Sequence, residues 1–360
     1  MASRFGRYFT ITTFGESHGA ALGVIIDGCP AGLAVDLKDV QSFLDRRKPG
    51  VGPWATSRKE ADQVAILSGV EEGFSTGAPI TLMVQNKDIR ANDYQNIEKA
   101  FRPSHGDYTT FMKYGRRAKS GGGRTSARET VARVAAGAIA KAFLAKALAD
   151  KVSVVAFIDT VGPLVSSYDP MVCVHEKALI GPLRALNEDI AEQMMSLILK
   201  TKEQGDSVGG TISCQITGVP AGLGEPVFDK LEADLAKAML SIPACKAFEV
   251  GSGFAGCGQF GSMQNDSLQL KDGQVSTKTN HSGGIQAGIS NGQMIYFRVG
   301  FKPVATISKP QVSLDENLNS VSIEAKGRHD PCVLPRALVI VEAMAWLVLA
   351  DHLLAQKVFT

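Results

Sequence analysis

No two cysteines stand close enough in this chain to form a metal knuckle or a redox motif: Cys29, Cys173, Cys214, Cys245, Cys257 and Cys332 are scattered without a C-x-x-C. A chain of 360 residues can bury a large core without covalent staples, so these thiols are expected to be reduced and packed as small hydrophobes. Net charge is nearly absent at +2, so the chain as a whole is not a polycation. Long apolar runs are missing too. Ala337 to Ala350 is interrupted by Glu342 and falls short of the roughly 20 residues that span a bilayer, so it reads as a buried core helix. Met1 to Arg7 is not followed by the apolar segment and cleavage site of a secretory leader, which predicts a cytoplasmic protein. G-x-x-x-x-G-K-[ST] and H-E-x-x-H are absent, and the literal matches to G-x-G-x-x-G, such as Gly251 to Gly256 and Gly256 to Gly261, and to G-x-S-x-G, such as Gly73 to Gly77 and Gly288 to Gly292, fall outside the predicted strand-to-helix units that give those motifs their meaning. The two absences argue against a P-loop nucleotide triphosphatase and a zincin, and the missing context argues against a Rossmann dehydrogenase and a serine hydrolase.

What the chain does have is cation concentrated in one place. From Arg102 to Arg133 there are eight Lys or Arg against Asp107 and Glu129, a pattern that suits a local anionic ligand. Within it, Gly121-Gly122-Gly123-Arg124-Thr125-Ser126-Ala127-Arg128-Glu129-Thr130 runs from a glycine hinge into a helix start. Ser126 with Glu129 three residues on reads as a capping box. Apolar residues at Val131, Val134, Ala135, Ala138, Ile139, Ala142 and Phe143 predict a helix to about Asp150 with one face buried. A capping box usually only stabilises its helix, by about 1 kcal/mol. A flexible backbone at a helix N-terminus also makes an anion site.

Other loops carry the same residue types. His18 stands in Gly15-Glu16-Ser17-His18-Gly19 between two strand-like stretches, Tyr8 to Phe14 and Leu22 to Asp27. Asp36 and Asp39 open a short helix that ends at Arg46-Arg47-Lys48-Pro49-Gly50, where three cations also complement the helix dipole. Arg102 and His105 lie in Phe101-Arg102-Pro103-Ser104-His105-Gly106-Asp107-Tyr108, broken by Pro103 and Gly106. Further strands are predicted at Val64–Ser68, Ile80–Gln85, Val152–Ile158, Val208–Val219 and Met294–Phe301, with helices over Leu186–Gln204 and Phe228–Leu240. Asp330 follows Lys326-Gly327-Arg328-His329 and reads as an N-cap with Pro331 at the first helical position, or as a functional carboxylate; the two roles are compatible. Micromolar affinity needs roughly 8 kcal/mol, more than one helix N-terminus supplies, so several arginines must act together.

Taken in order, Thr13 to Gly19, Asp45 to Gly50, Phe101 to Tyr108, Gly121 to Thr130, Pro220 to Pro226, Asn280 to Gly284 and Gly327 to Cys332 resemble the chorismate synthase family over nearly the whole chain. The resemblance implies a single α+β domain over residues 1–360, a β-α-β sandwich with strands in the core and helices outside, assembled as a homotetramer. It implies elimination of phosphate from 5-enolpyruvylshikimate 3-phosphate with reduced FMN and no net redox change, with NADPH or a separate flavin reductase as the source of electrons. His18, His105 and Asp330 correspond to catalytic positions. Ser17, Arg47, Arg102, Arg128 and Arg328 correspond to substrate contacts. FMN contacts carry over to Arg124, Thr125, Ser126, Ala244, Ala287, Lys302, Pro303, Val304, Ala305, Thr306 and Arg328.

Three departures stand out. The usual Ser-Ser after the glycine-arginine run is Thr125-Ser126; Lys-Pro-Thr-Ser-Ser is Lys302-Pro303-Val304-Ala305-Thr306; and an arginine after the Pro-Gly turn is replaced around Gly52-Pro53, with Arg58 as its candidate substitute. A nucleic-acid binder using the arginine-glycine loop is the rival from another class, and it calls for exposed aromatics beside the cations. A flavin-free enzyme acting on another phosphorylated acid is the second rival.

Overall fold

The computed structural model describes residues 3–48, 52, 61–86, 100–118, 122–271, 273–324 and 330–359. In chain order the first half runs β1 (Arg4–Phe5), β2 (Thr10–Gly15), β3 (Ala21–Asp27), α1 (Leu37–Arg47), β4 (Val64–Ser68), a small hairpin of β5 (Val70–Glu71) and β6 (Phe74–Ser75), β7 (Ile80–Gln85), α2 (Asp107–Tyr114) and α3 (Thr130–Ala147). The second half runs β8 (Ser153–Val161), β9 (Leu164–Val165), α4 (Glu188–Glu203), β10 (Gly210–Thr217), α5 (Leu231–Leu240), β11 (Cys245–Val250), α6 (Gly253–Cys257) and α7 (Gly261–Gln264). Three hairpin pairs follow or flank the last long strand: β12 (Leu268–Lys271) with β13 (Gln274–Thr277), β14 (Ile285–Gln286) with β15 (Ile289–Ser290), then β16 (Ile295–Phe301), and β17 (Gln311–Leu314) with β18 (Ser320–Ile323). The chain closes on α8 (Leu334–Phe359).

Two antiparallel five-stranded sheets organise this list, ordered β1-β2-β3-β7-β4 and β11-β16-β10-β8-β9. In β3 the alternation is plain: Leu22, Val24 and Ile26 are buried while Ile25 and Asp27 face out. β8 is buried at every position except Ser153 and Thr160, so both of its faces are covered.

The helices between the sheets set the layering. α3 packs on β2, β3 and β7 of the first sheet; α8 packs on β8 and β10 of the second; α3 and α8 pack on each other. One hydrophobic cluster runs through all four layers. The α+β sandwich therefore stands, but the expected position of the helices is corrected: the two longest lie inside and the sheets flank them. The reason is composition. α3 buries twelve residues from Thr130 to Leu144, mostly alanine and valine, on more than one face, and such a helix is stable only between layers. At Gly137 a Cβ would lie 2.5 Å from Ala343 Cβ, so the glycine sets how closely α3 and α8 approach.

α8 is also longer than its apolar stretch suggests, at 26 residues. Residues Leu334–Gln356 are long and apolar enough to cross a membrane, yet 94% of their most apolar window is buried inside the protein, which makes α8 the central core helix. Glu342 interrupts it without leaving a naked charge: its carboxylate accepts from Arg46 at 2.6 Å and from the Ala156 N–H at 3.1 Å. α1 and α4 begin as read, with Asp36 accepting from Lys38 N and Asn187 from Ile190 N.

Candidate active site

The loop between Gly122 and Thr130 enters α3 through two 3-10 turns, Gly123–Thr125 and Ala127–Glu129, rather than directly. Ser126 Oγ accepts from Arg128 N at 3.3 Å, so the serine caps as expected. Glu129 does not close the box. It is buried and takes Thr13 Oγ1 at 2.8 Å and Arg133 Nε at 2.9 Å, partners worth more to a buried carboxylate than the Ser126 N–H. Arg124 reaches the other way, donating to Gly15 O at 3.0 Å and Thr13 Oγ1 at 2.8 Å. Gly121 lies outside the described residues.

Ser17 and His18 sit directly beside this loop. Ser17 N donates to Gly123 O at 3.4 Å, and Ser17 Oγ is 3.0 Å from His18 Nδ1. The turn that carries them is closed by Gly19 N donating to Glu16 O at 3.1 Å.

Arg128 and Arg47 meet at a residue that pattern reading did not select. Asp62 is buried, stands at a left-handed φ of 45° just before β4, accepts from Arg47 Nη2 at 2.6 Å through one oxygen and from Arg128 Nη1 at 2.9 Å through the other. Burial disfavours the charge on Arg47, and the Asp62 carboxylate opposes that. Asn86, at the end of β7, accepts from Arg128 Nε at 2.6 Å. No local signal marks either residue; their roles come from strand ends meeting a helix start.

Asp330 is corrected in one respect. α8 begins at Leu334, so Asp330 and Pro331 are not its cap. Cys332 and Leu334 are buried in the core, which places the helix start three residues later and leaves Asp330 to pair with Arg336 Nη1 at 2.5 Å. Arg336 Nε in turn donates to Arg47 O at 3.1 Å. Arg328, Arg58 and Pro53 lie outside the described residues.

His105 belongs to a second knot around Asp107. Asp107 accepts from Arg102 Nε at 2.7 Å and Nη2 at 2.8 Å, and lies 2.9 Å from His105 Nδ1. Burial works to raise the Asp107 pKa, but the bonds and charges of Arg102 and His105 outweigh it and hold the carboxyl well below the usual carboxylate range. An ionised Asp107 accepts only, so it fixes the proton on His105 Nδ1 and leaves Nε2 as the atom directed elsewhere.

Lys302 to Thr306 joins this knot. Thr306 Oγ1 accepts from Arg102 Nη1 at 3.3 Å, and Lys302 Nζ donates to Ser104 O at 3.1 Å. Burial, with Lys246 adding repulsion, pushes the Lys302 ammonium pKa down. Lys302 N donates to Ala244 O and Ser207 Oγ to Val304 O, so the backbone of this segment is held while Pro303 is exposed and Ala305 half-buried. Ala287 lies elsewhere, exposed in the β14–β15 turn, whose Gly288 carbonyl accepts from Leu231 N. Among the described residues ten non-glycine residues have positive φ, and they include the candidate positions Ala244 and Ala287 as well as Asp62 and Ser104, so the site carries a share of the strained backbone.

The two knots touch where Gly106 faces Thr125: a Cβ on Gly106 would lie 3.7 Å from Thr125 Oγ1. One set of hydrogen bonds thus links Thr306, Arg102, Asp107 and His105, a second links the His18 turn through Asn86 to Arg128, Asp62, Arg47, Arg336 and Asp330, and Gly106 with Thr125 brings the two side by side in one candidate site. Beside it opens a cavity of about 710 Å3, lined by Thr13, Tyr114, Arg116, Arg117, Arg124 and Thr125 among others. Such a volume falls within the range of small-molecule sites, about 300–1,000 Å3.

The family model for chorismate synthase matches residues 9–354. The chain belongs to the chorismate synthase family. It is 52% identical to the chorismate synthase of Opitutus terrae over 361 aligned residues, covering 99% of this chain and 98% of that one. It is 53% identical to the chorismate synthase of Cytophaga hutchinsonii, covering 99% of each. A crystal structure of chorismate synthase superposes with a TM-score of 0.76 at 30% identity, over 98% of this chain and 93% of the other. Membership in the chorismate synthase family makes the chain an enzyme of the lyase class.

Proposed function

We propose that this chain converts 5-enolpyruvylshikimate 3-phosphate to chorismate by 1,4-elimination, with reduced FMN as its cofactor. The observation that carries the reading is that two neighbouring hydrogen-bond networks hold His18, His105 and Asp330 among four arginines, Arg47, Arg102, Arg124 and Arg128, in a family whose relatives bear the name chorismate synthase. A substrate with two carboxylates and a phosphate is the kind of ligand such a line would hold.

The residues present fit a flavin mononucleotide. The cavity has the volume, Arg116, Arg117 and Arg124 supply charge for a phosphate, and Thr125 keeps a hydroxyl where the family has serine. Thr306 keeps another, although it is engaged by Arg102. When bound, the reduced flavin supplies reversible electron donation to the substrate. The chain's own residues position and move protons: His18 protonates the departing phosphate, Asp330 accepts the C6 proton while Arg336 orients it, and His105, with Nδ1 held by Asp107, would offer Nε2 as a hydrogen-bonding partner to the flavin. Arg47 and Arg128 hold the substrate's anions, and Arg102 fixes Asp107.

The protein assembles as a homotetramer and works in the cytoplasm on this reading. Support for self-association comes from the β12–β13 hairpin, which exposes Leu268, Leu270 and Val275. A lone two-stranded hairpin is marginal in water, and an apolar one needs a partner. NADPH or a separate flavin reductase supplies the electrons.

The test is anaerobic incubation of the purified protein with 5-enolpyruvylshikimate 3-phosphate and chemically reduced FMN. Chorismate and phosphate are expected in equal amounts; no phosphate release with fully reduced flavin would sink the reading. Repeating the assay in air with NADPH and oxidised FMN tells whether the chain reduces its own flavin.

A further inference from the structure

We propose that Asn86 is a positioning residue that ties the turn carrying His18 to Arg128. The inference rests on the function proposed above, in which His18 gives a proton and Arg128 holds an anion.

Asn86 lies just past β7 with its amide between two elements that are distant in sequence. Its Nδ2 donates to Glu16 O at 3.0 Å and to Gly19 O at 2.7 Å, the two carbonyls that bracket Ser17 and His18. Its Oδ1 accepts from Arg128 Nε at 2.6 Å. The orientation of the amide is dictated by these partners: carbonyls only accept, so they must face the NH2, and a guanidinium only donates, so it must face the oxygen. Asn86 N also donates to Ala20 O at 3.0 Å, which anchors the residue to the same turn through its backbone. No other side-chain type of this size offers two donors and an acceptor at once; aspartate keeps the acceptor, leucine keeps neither.

The consequence is a rigid path from the anion-binding cation to the acid. Arg128 is held on its Nη1 by Asp62 and on its Nε by Asn86, so a shift of its guanidinium on anion binding pulls on Oδ1 and moves the Glu16–Gly19 bracket. His18 is placed through that bracket and through Ser17. Small misplacements of a proton donor are expensive, of order a hundredfold in rate for about 1 Å.

The test compares Asn86→Asp with Asn86→Leu in the full-length protein, using the anaerobic assay with reduced FMN. Asn86→Asp keeps the acceptor for Arg128 and loses both donors to the His18 turn, so kcat is expected to fall by about tenfold or more with KM much less affected. Asn86→Leu loses both connections, so kcat falls and KM rises together. In a His18→Ala background Asn86→Asp is expected to add little, because the path ends at His18. A wild-type kcat in Asn86→Asp, equal factors in kcat and KM, or full additivity with His18→Ala would overturn the inference. Should Asn86→Asp fail to fold, Asn86→Ser takes its place, with the same non-additivity expected and full additivity again overturning the inference. Amide hydrogen exchange over residues 16–20 supplies a readout without turnover: faster exchange is expected in the variant, and unchanged exchange counts against the path. An inactive wild type, or full activity in His18→Ala, would instead strike the proposed function or the role of His18.

Discussion

Asp62 Oδ2 lies 2.6 Å from Arg47 Nη2, with the two side chains exposed by 0% and 1%. The other oxygen of the same carboxylate takes Arg128, so one anion stands between two cations that would otherwise repel each other in a poorly solvated place. Removing one partner from such a buried arrangement costs about 3–5 kcal/mol, because the charge left behind has neither water nor a counter-ion. Asp62→Ala is therefore expected to lower Tm substantially in thermal melts. In whatever fraction folds, KM for the substrate should rise because Arg47 and Arg128 lose their common anchor. A variant melting with the wild type would show that water or another group replaces the carboxylate.

Asp107 gives a pH dependence with a definite sign. Its carboxyl pKa is depressed in the fold, so the stabilisation is present above the unfolded value, about 3.9, and is lost as pH falls through the lower folded value. The stability gap between wild type and Asp107→Asn should be constant from neutral pH down to about pH 5 and close only at strongly acid pH. Acid titrations of both proteins by circular dichroism would show this, and a gap already closed at mildly acid pH would count against a depressed Asp107 carboxyl. At neutral pH the same variant should lose turnover, since an asparagine can present its NH2 to His105 and undo the choice of nitrogen.

Much of this site could be read from residue types and spacing, and what could not has a common cause. The loops bearing His18, His105 and Arg124 were legible because glycines flank polar residues between structured segments, β3 because it is rich in Ile and Val, α1 because Asp36 and Asp39 open it and cations before Pro49 close it, and α4 because it is amphipathic. Asp62 and Asn86 were not, because their partner Arg128 is 66 and 42 residues away, and no local pattern announces a side chain whose purpose is to meet another element. α2 was missed because Asp107–Tyr114 is only eight residues long, follows the Pro103 and Gly106 breaks, and buries only Asp107 along its length. The start of α8 was misplaced because Asp330-Pro331 imitates a helix start, while packing of Cys332 and Leu334 decides where the helix begins.

Gly137 sets a conflict that magnitudes resolve. Glycine inside a helix is worse than alanine by about 1 kcal/mol, so propensity alone favours Gly137→Ala. Against it, the new Cβ would sit 2.5 Å from Ala343 Cβ, 2.6 Å from Ala343 Cα and 3.0 Å from Ala343 O. Two of these atoms are backbone and cannot rotate away, so α3 and α8 must separate, at a cost of roughly 1–3 kcal/mol or more. The clash is expected to win, lowering Tm by a few degrees. A stabilised Gly137→Ala protein would mean that the two central helices slide at little cost.

The six thiols divide by environment, and alkylation should report the division. Desolvation pushes Cys29 up to about 11 and Cys332 up to about 12, raises Cys214 well above its ordinary value, and raises Cys245 as well. The thiolate is the species that reacts, so these four are doubly protected, by being covered and by remaining protonated at pH 8. Cys173 and Cys257 are exposed. Native protein treated with iodoacetamide at pH 8 should therefore take up at most two labels, on peptides containing Cys173 or Cys257, and all six after denaturation. A label on Cys332 in the native protein would carry most weight against this packing, because that thiol lies two residues from Asp330 and reaching it requires the start of α8 to open.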